Sequence, residues 1–592
     1  MWHCRHCLEW PISESDQTLF VPPSQLQIAS ILLALIPVLG CGRPAATNTG
    51  PAETDQTNRT TQLSGFADVA IEWGVDFINS PMNADEYQLP TIIGSGCAIL
   101  DYDRNGHLDI LFIAEESANK NVAFFSQRSP GKFTECSEVT GIADATGRGI
   151  AVGDCNNDGW PDLYFTSNGA DQLWLNSGQG SFQNVTAECG IVNPRWGTSA
   201  CWVDFDRDGW LDIFVTNYVQ NTHLDCTRLG GGDADFCALH LFETTGDLLF
   251  RNTTGETEGQ SLTFIDVSDT MGVSGTMSAG LGITAKDFNN DNWIDVYIAS
   301  DQHPNILWIN HQGSFTNESA VRGCDLDFLG RAQASMGIAL GDVTGDGRED
   351  VTVSHLDGES HAVYRQATSG FYSDFARETG VATYTRPFTG FGICCTDVNL
   401  DGVAELITVN GRVKREGARS KIAKDFWAPY QQPMQMIESS QSQATTGAVQ
   451  LLNGKRILGR GLAVGDLDRD GDPDIVCSTI GEPAVVLRND YASLNDGFTL
   501  RIVDPLLAGR SCPGARATVR VGDRSTEHTF QPCQSYMSSH AEELYLSTPS
   551  GADSITVDII WPHGSMEIER FEFSVSPHSQ VTLERGAGTV QE

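Results

Sequence analysis

Basic residues are scarce in this sequence. It contains 37 Lys and Arg against 77 Asp and Glu among 592 residues, which gives a formal net charge of −40. Surfaces that bind nucleic acids need clustered Lys and Arg to neutralise phosphates. We therefore expect no nucleic-acid partner.

The short motifs of common catalytic sites are also missing. The chain has no His-Glu-x-x-His, Gly-x-Ser-x-Gly, P-loop or dinucleotide-binding glycine motif. Its 13 histidines are scattered, and we expect His303, His355 and His361 to lie on exposed strand edges. Paired carboxylates can hydrolyse glycosides, but every acidic cluster here has the metal-binding explanation given below. The sequence therefore favours a non-catalytic protein, and no catalytic or cofactor-binding residue is assigned.

Long apolar runs are absent apart from residues 28–40, which are too few to span a bilayer but suit the apolar region of a signal peptide. The run ends in Val38-Leu39-Gly40-Cys41, which resembles a bacterial lipobox with Cys41 as the acylated residue. We predict a signal peptide over 1–41, a flexible linker over 42–63 and an exported lipoprotein at the outer membrane or cell surface. The lipid anchor would be its only membrane contact. An ordinary secretory signal cut nearby would instead leave the protein periplasmic or secreted.

Seven acidic nonapeptides of the pattern D-x-D/N-x-D-G-x-x-D dominate what is present, and we number them as acidic loops one to seven. Oxygen-bearing side chains occupy positions 1, 3, 5 and 9, and position 6 is Gly except for Asn292 in loop four. The predicted metal ligands, loop by loop, are Asp101, Asp103, Asn105 and Asp109; Asp154, Asn156, Asp158 and Asp162; Asp204, Asp206, Asp208 and Asp212; Asp287, Asn289, Asp291 and Asp295; Asp342, Thr344, Asp346 and Asp350; Asp397, Asn399, Asp401 and Glu405; and Asp466, Asp468, Asp470 and Asp474.

Calcium is the cation that such loops suit, because it takes six to eight oxygen ligands at about 2.3–2.6 Å. An EF-hand would need Glu at position 12 and flanking helices. Position 12 is instead Phe112, Phe165, Val215, Ile298, Val353, Thr408 and Cys477, and the residues after each loop read as short strands. We therefore reject EF-hands and predict up to seven calcium ions with a structural role, since clustered buried carboxylates need a neutralising cation.

The loops recur at intervals of roughly 50–55 residues, a period typical of propellers and solenoids. Each repeat reads as four strands, the third ending in a Leu-Trp-x-Asn phrase and the fourth formed around Phe-x-x-Val. The seventh repeat lacks its fourth strand, whereas an isolated copy, Phe66-Ala-Asp-Val69, precedes the first repeat. An N-terminal strand that completes the last sheet would explain both observations. We therefore predict an all-β fold, a seven-bladed β-propeller over 64–495.

The loops and the Leu-Trp-x-Asn phrases resemble the FG-GAP/VCBS repeats of integrin α-chain propellers. Arg460–Asp474, together with Asn410-Gly-Arg, Trp561-Pro-x-Gly564 and Ser535-Tyr-Met-Ser538, resembles the subfamily with a C-terminal ASPIC/UnbV domain, the cartilage acidic protein family and its bacterial exported relatives. The resemblance implies a second domain, which we place at 498–586 and expect to be a small β-sandwich. The family's His-Phe-Gly-Leu-Gly-like phrase is replaced here by Glu543-Leu-Tyr-Leu-Ser-Thr-Pro.

Cysteines and tryptophans give further expectations. In an oxidising compartment Cys226 with Cys237, and Cys512 with Cys533, could form disulfides. Trp160, Trp210 and Trp293 occupy position 7 of three acidic loops, where we expect them to cover the loop and the neighbouring repeat. A carbohydrate-stacking surface is the alternative.

The function expected from these features is an exported calcium-binding propeller that acts as a binding or adhesion module at the cell envelope. Its protein or glycan ligand would dock on a propeller face, where insertions near 218–247 and 412–456 project. The alternatives are a polysaccharide-acting enzyme with its site in the central channel, or a scaffold subunit of an envelope assembly.

Overall fold

The computed structural model describes residues 65–591 except 221, 223, 225–233, 257–260, 369, 416–424, 439–448, 492–495 and 549–553. The expected leader, the linker and Cys41 lie outside the described residues. The protein is all-β, with 45% strand and 7% helix. Among the helices of the described ranges, none has the length and apolar content needed to cross a membrane.

Seven groups of four antiparallel strands follow one another along the chain, as the repeats predict, and six of them are separate four-stranded sheets while the first belongs to a six-stranded sheet. Strand β1 spans Phe66–Asp68; sheet one contains β2 (Cys97–Leu100), β3 (Asp109–Ile113), β4 (Val122–Ser129) and β5 (Lys132–Glu135); sheet two contains β6 (Gly149–Gly153), β7 (Asp162–Thr166), β8 (Gln172–Asn176) and β9 (Phe182–Asn184); sheet three contains β10 (Gly197–Val203), β11 (Asp212–Asn217), β13 (Leu248–Asn252) and β14 (Phe264–Asp266), while β12 (Thr245–Gly246) pairs with β15 (Met277–Ser278).

The remaining repeats have the same composition. Sheet four contains β16 (Gly280–Lys286), β17 (Asp295–Ser300), β18 (Ile306–Asn310) and β19 (Phe315–Asn317); sheet five contains β20 (Ile338–Gly341), β21 (Asp350–Val353), β22 (Ala362–Thr368) and β23 (Phe371–Asp374); sheet six contains β24 (Gly390–Thr396), β25 (Glu405–Asn410), β26 (Gln432–Glu438) and β27 (Val449–Ile457); sheet seven contains β28 (Gly459–Gly465), β29 (Asp474–Thr479), β30 (Val485–Asn489) and, as its fourth strand, β1.

The first two strands of each sheet are largely buried on both faces, which explains their continuous apolar runs such as Asp109–Ile113. Side chains of neighbouring sheets fill the space between them. One core cluster joins sheets two, three and four, another joins sheets six and seven, and a third joins sheet seven to sheet one. These apolar contacts hold each sheet against the next.

The order of these contacts returns to its starting point. The first strand of each sheet contacts the first strand of the next, from β2 through β6, β10, β16, β20 and β24 to β28, and β28 contacts β2. Strand β1 pairs with β30, with Phe66 opposite Asn489, so the N-terminal strand completes sheet seven as the isolated Phe-x-x-Val phrase predicts.

The C-terminal strands form two further sheets around one core. The first contains β31 (Gly497–Asp504), β32 (Arg510–Ser511), β37 (Leu544–Ser547) and β40 (Ser579–Glu584); the second contains β33 (Ala515–Val521), β34 (Arg524–Phe530), β38 (Ile555–Ile560), β39 (Ile568–Phe573) and β41 (Thr589–Gln591). Phe498 and Ile502 from one sheet pack with Val519 and Val557 from the other. Strand β41 extends beyond the expected end at residue 586.

Residues 531–541 of the C-terminal part lie among the first strands of all seven sheets, which the sequence did not predict. Strands β35 (Cys533–Gln534) and β36 (Ser538–Ser539) join sheet one through the pair Ala98 and Ser539. Hydrogen bonds from this segment reach Val152, Ser199, Ala285, Ile338, Ile393 and Val464, one residue from each of the other six first strands. The segment therefore fills the space that these strands surround.

The helices are short, and α2 is largely buried. They are α1 (Ala70–Trp73), α2 (Leu89–Ile93), α3 (Ser319–Arg322) and α4 (Val381–Thr385), with 3-10 turns at Ala84–Glu86, Leu239–Leu241, Thr254–Glu256, Ala428–Tyr430 and Pro505–Leu507.

The two insertions pack against each other instead of projecting separately. Asp235 of the first insertion accepts a hydrogen bond from the Tyr430 hydroxyl at 2.8 Å and lies 3.5 Å from the guanidinium of Arg415. Phe236 is nearly parallel to Trp427, with ring centroids 6.4 Å apart. Asp235 and Phe236 belong to the first insertion and the other three residues to the second, and all three aromatic side chains are buried.

Cysteine pairing differs in part from expectation. Cys512 and Cys533 are free buried thiols, because Cys533 leaves the C-terminal sheets with the 531–541 segment. Cys237 is disulfide-bonded. Its expected partner, Cys226, lies outside the described residues.

Candidate metal sites

Each acidic loop connects the first strand of a sheet to the second, and position 9 is the first residue of that second strand. The position 1 aspartate accepts a hydrogen bond from the backbone N–H of position 6 in all seven loops, at 2.7–3.1 Å. The position 5 side chain accepts one from the N–H of position 7, at 2.7–3.3 Å. These bonds curl the loop around its own oxygen side chains.

Left-handed backbone conformations make this curl possible. Position 4 has positive φ in every loop, at Arg104, Asn157, Arg207, Asn290, Gly345, Leu400 and Arg469. Position 6 also has positive φ, which explains its glycines and the single Asn292, with φ of 68°. The repeated Gly at position 6 is therefore a requirement of the turn.

Position 9 is the most buried ligand position. Asp162, Asp212, Asp295 and Asp474 have no exposed surface, and Glu405 is 1% exposed. In six loops this carboxylate accepts a hydrogen bond from the N–H of position 2, at 2.8–3.2 Å. In loop five Asp350 accepts it from Thr344 at position 3 instead. Position 9 therefore ties the loop to the start of the second strand.

The asparagine of the Leu-Trp-x-Asn phrase links neighbouring repeats. Its backbone N–H donates to the position 9 carboxylate of its own sheet, as Asn176 does to Asp162 at 2.9 Å. Its side-chain amide donates to the position 2 carbonyl of the preceding loop, as Asn176 does to Tyr102 at 2.8 Å. Asn252, Asn310 and Asn489 repeat this arrangement. The phrase marks a contact between successive acidic loops.

Three loops bring together three carboxylates whose nearest oxygens lie within 4.8 Å of one another. They are loops one, three and seven, with Asp101, Asp103 and Asp109; Asp204, Asp206 and Asp212; and Asp466, Asp468 and Asp474. Loops two, four, five and six place the neutral side chains Asn156, Asn289, Thr344 and Asn399 at position 3, so their three carboxylates lie at positions 1, 5 and 9. The predicted ligands of each loop are thus near one another, with the densest charge in three of them.

Burial makes these carboxylates costly as anions. Desolvation raises the pKa of Asp109 and of Asp466 to about 8, and that of Glu405 to about 9. Repulsion from the other carboxylates of the same loop adds to the shift. A divalent cation would remove both penalties at once, because it pairs with the ionised form.

Buried oxygens without a hydrogen-bond partner also fit a cation. Asp204 Oδ1 in loop three, Asp350 Oδ1 in loop five and Asp466 Oδ1 in loop seven are buried and lack a donor. Asp204 and Asp350 are each 1% exposed. A buried acceptor without a donor is expensive, and an all-oxygen set matches the ligands that calcium prefers.

Trp160 and Trp210 lie against a glycine of their own repeats, and Trp160 and Trp293 make the expected contact with the neighbouring repeat through an arginine of the preceding loop. A Cβ on Gly178 would come within 2.7 Å of the Trp160 ring, and one on Gly255 within 2.2 Å of the Trp210 ring. The guanidinium of Arg104 in loop one lies 5.5 Å from the Trp160 ring centre in loop two. Arg207 and Trp293 repeat this contact between loops three and four at 5.7 Å.

Residues of the C-terminal sheets contact the acidic loops, a feature that the loop pattern could not reveal. Tyr545 accepts a hydrogen bond from the backbone N–H of Asp466 in loop seven at 2.9 Å. Arg510 donates to Asn157 in loop two at 2.7 Å and to the Gly209 carbonyl in loop three at 3.1 Å. The loops therefore face the C-terminal sheets.

Two histidines expected at exposed edges are buried instead. His355 and His361 are 0% and 1% exposed, and burial lowers the pKa of His355 to about 4. The His355 ring hydrogen-bonds to the Ser335 hydroxyl and to the Ser360 carbonyl, which take the place of solvent.

The repeats of four antiparallel strands with an acidic loop were also compared with known protein families. The FG-GAP-like repeat family matches residues 101–165, 154–215 and 287–353, which confirms the resemblance seen in the motifs.

The chain is similar to cartilage acidic protein 1 of Mus musculus, with 22% identity over 528 residues that cover 82% of this chain and 73% of that protein. Cartilage acidic protein 1 of Homo sapiens is 23% identical over 528 residues, covering 82% and 72%. Among solved structures, an Agrocybe aegerita lectin described as recognising non-reducing terminal N-acetylglucosamine shares 14% identity at a TM-score of 0.37, covering 67% of this chain and 95% of that chain. A likeness at that TM-score supports no statement about ligands.

Proposed function

We propose that this protein is a calcium-stabilised binding module whose seven sheets close into a single seven-bladed β-propeller. The circular order of first-strand contacts supports closure, and so does the core cluster shared by sheets seven and one. Strand β1 in sheet seven joins the two ends of the repeat array, which protects the sheet edge that would otherwise remain.

Calcium, up to seven ions, is the proposed occupant of the acidic loops. The buried carboxylate oxygens without donors in loops three, five and seven carry this proposal. Each ion would stabilise the native state by RT ln(1 + [Ca]/Kd), or about 2.7 kcal/mol at a hundredfold excess over Kd. Calcium titration followed by thermal melting tests it. A large rise in melting temperature is expected, and an unchanged melting temperature would refute the assignment.

The partner is proposed to dock at the end of the sheets opposite the acidic loops. The loops join first to second strands, whereas the first insertion and the part of the second insertion that precedes β26 join second to third strands, so they lie at opposite strand ends. The rest of the expected insertion at 412–456 contains β26 and β27, the third and fourth strands of sheet six. The loop end is in contact with the C-terminal sheets. The insertion end presents His240, Leu241 and Glu243 to solvent.

A protein or glycan is the proposed ligand, and a paired variant tests the docking end. Leu241→Asp alters the insertion end, where this side chain is 41% exposed, and Leu506→Asp alters the C-terminal domain, where it is 87% exposed. Glycan arrays and pull-downs with calcium-loaded protein should show ligand binding that Leu241→Asp weakens and Leu506→Asp preserves. The reverse pattern would move the docking site to the C-terminal domain.

The enzyme alternative required an accessible site in the central channel. Residues 531–541 occupy the space among the first strands, and their hydrogen bonds to all seven strands leave this alternative without support. The scaffold alternative needs a large contiguous apolar surface. The exposed apolar side chains of the described residues include Ile71, Val192 and Leu506, which are far apart in the sequence.

Export and anchoring through Cys41 complete the proposal. The apolar run before Cys41 and the lipobox-like Val38–Cys41 motivate it. Palmitate labelling should occur in the full chain and disappear in Cys41→Ser, and labelling that persists in the variant would refute the anchor.

A further inference from the structure

Acidic loop four departs from the other six at position 6, where Asn292 replaces glycine. Its backbone keeps the same left-handed turn, with φ of 68°. Its side chain has a function that glycine could not supply, because Asn292 Oδ1 accepts a hydrogen bond from Arg516 at 3.3 Å. Asn292, the one position 6 residue that is not glycine, therefore contacts the C-terminal domain.

Arg516 lies on β33 and reaches further into the same loop. Its NH1 group lies 3.2 Å from Asp287 Oδ2, the position 1 ligand, and also donates to Asn290 Oδ1 at position 4. The two charged side chains are 21% and 6% exposed, so the pair is shielded from water. Among the ion pairs within the described ranges, Asp287 is the position 1 aspartate that pairs with an arginine.

Other loops use arginines differently. Arg251 pairs with Asp206 at position 3 of loop three, and Arg365 pairs with Asp346 at position 5 of loop five. Both of these arginines belong to the repeats themselves. Loop four is thus distinguished by a cation that the C-terminal domain supplies, bound at the aspartate that begins the loop.

We propose that Arg516 is the resident cation of loop four, which makes this loop one of the docking contacts of the C-terminal domain and the weakest of the proposed calcium sites. The inference rests on calcium as the occupant of the other loops. A guanidinium and a divalent ion that share Asp287 repel each other across a few ångströms of partly desolvated protein, so each weakens the binding of the other. We expect calcium affinity at loop four to be about tenfold or more lower than it would be beside a neutral residue.

Native mass spectrometry of the full chain during calcium titration tests this inference, because it counts bound ions. In Arg516→Gln the last ion should bind at about a tenfold lower calcium concentration than in the wild-type protein. Arg516→Lys retains the charge and should leave the last ion close to its wild-type position. Arg520→Gln is the matched control, since Arg520 lies on the same face of β33 and pairs with Asp558 inside the C-terminal domain at 2.5 Å.

Two further measurements complete the test. Adding Asp291→Asn to Arg516→Gln should abolish the shift and assign it to loop four. In EDTA, Arg516→Gln should lower the melting temperature more than Arg520→Gln, because Asp287 and Asn290 lose their partner. An unshifted last ion in Arg516→Gln would overturn the inference while leaving the other calcium sites intact. A wild-type protein that binds no calcium would instead overturn the proposed function itself.

Discussion

The side-chain amide of Gln127 in sheet one donates a hydrogen bond of 2.8 Å to the backbone carbonyl of Leu467, position 2 of acidic loop seven. Asn489 of sheet seven makes the equivalent bond to Val398 of loop six, also at 2.8 Å. The contact that links sheets two, three, four and seven to the preceding loops thus also links the first repeat to the last. Gln127 performs in sheet one the role of the Leu-Trp-x-Asn asparagine.

Gln127→Leu should destabilise the protein by about 2–4 kcal/mol, because it leaves buried backbone groups unpaired. The wild-type side chain bonds to the carbonyls of Leu108 and Leu467 and to the N–H of Gly131. Urea unfolding in calcium measures the effect. The exposed Gln183→Leu on β9 is the control and should be nearly neutral. Equal midpoints for the two variants would contradict a role for Gln127 in joining the ends of the array.

Asp466→Asn should destabilise the protein in calcium but have little effect on its stability in EDTA. In calcium it removes a ligand of loop seven and should cost about 2–3 kcal/mol. In EDTA it should cost little, because burial raises the pKa of Asp466 to about 8 and the wild-type side chain is already largely protonated near neutral pH. Calorimetric melting under both conditions measures the difference. Asp144→Asn, at an exposed position, should be neutral in both. An equal loss in calcium and EDTA would argue against a metal ligand.

The calcium-free protein should lose stability as pH rises from about 5 to 8. Burial raises the pKa of Asp109 to about 8, of Asp204 to about 7 and of Glu405 to about 9, above their unfolded values of 3.8 for Asp and 4.5 for Glu. In that window the native state binds more protons than the unfolded state, so the free energy of unfolding falls with pH.

Calcium should reverse this dependence, because it binds the deprotonated carboxylates. Urea unfolding in EDTA and in calcium at several pH values measures both trends. Parallel pH profiles under the two conditions would show that protons and calcium do not compete for these groups.

Removing the Tyr536 ring should destabilise the whole protein, because its segment contacts every sheet. Tyr536 is fully buried, meets the Phe391 ring edge-on at 4.9 Å and donates its hydroxyl to the Ile93 carbonyl at 3.0 Å. We expect a loss of about 3–5 kcal/mol for Tyr536→Ala and about 1–2 kcal/mol for Tyr536→Phe. Guanidinium unfolding followed by tryptophan fluorescence ranks the two. An unchanged free energy of unfolding in Tyr536→Ala would mean that the 531–541 segment does not stabilise the seven sheets.

Much of the repeat was predictable because its signals are local. The turn at positions 1 to 6 depends on hydrogen bonds between residues at most five apart, as between Asp101 and Gly106. The strand that follows begins at position 9 in every copy. Even the N-terminal fourth strand of sheet seven could be inferred, since the phrase around Phe66 repeats a pattern found in the other sheets.

Several features escaped prediction because no local pattern encodes them. His355 and His361 come after β21 in the chain. The apolar pattern of that strand does not indicate that later residues bury the two histidines. Cys512 and Cys533 lie close to C-terminal strands in the sequence, so a disulfide between them was expected. The segment that contains Cys533 instead leaves the C-terminal sheets. Burial of the insertion aromatics likewise depends on two segments far apart in the chain, joined at Asp235 and Tyr430.

By itself, the sequence determined seven acidic turns, the strands that flank them and the oxygen ligands they offer, since each of these follows from interactions within about nine residues. Only the tertiary structure decided what lies against those turns. Cys97 and Ser538 hydrogen-bond across 441 residues of chain, and Arg516 reaches Asp287 across 229. Such contacts arise from the packing of complete sheets, so the positions of the 531–541 segment and of Arg516 are set by the assembled fold and not by any periodicity of the chain.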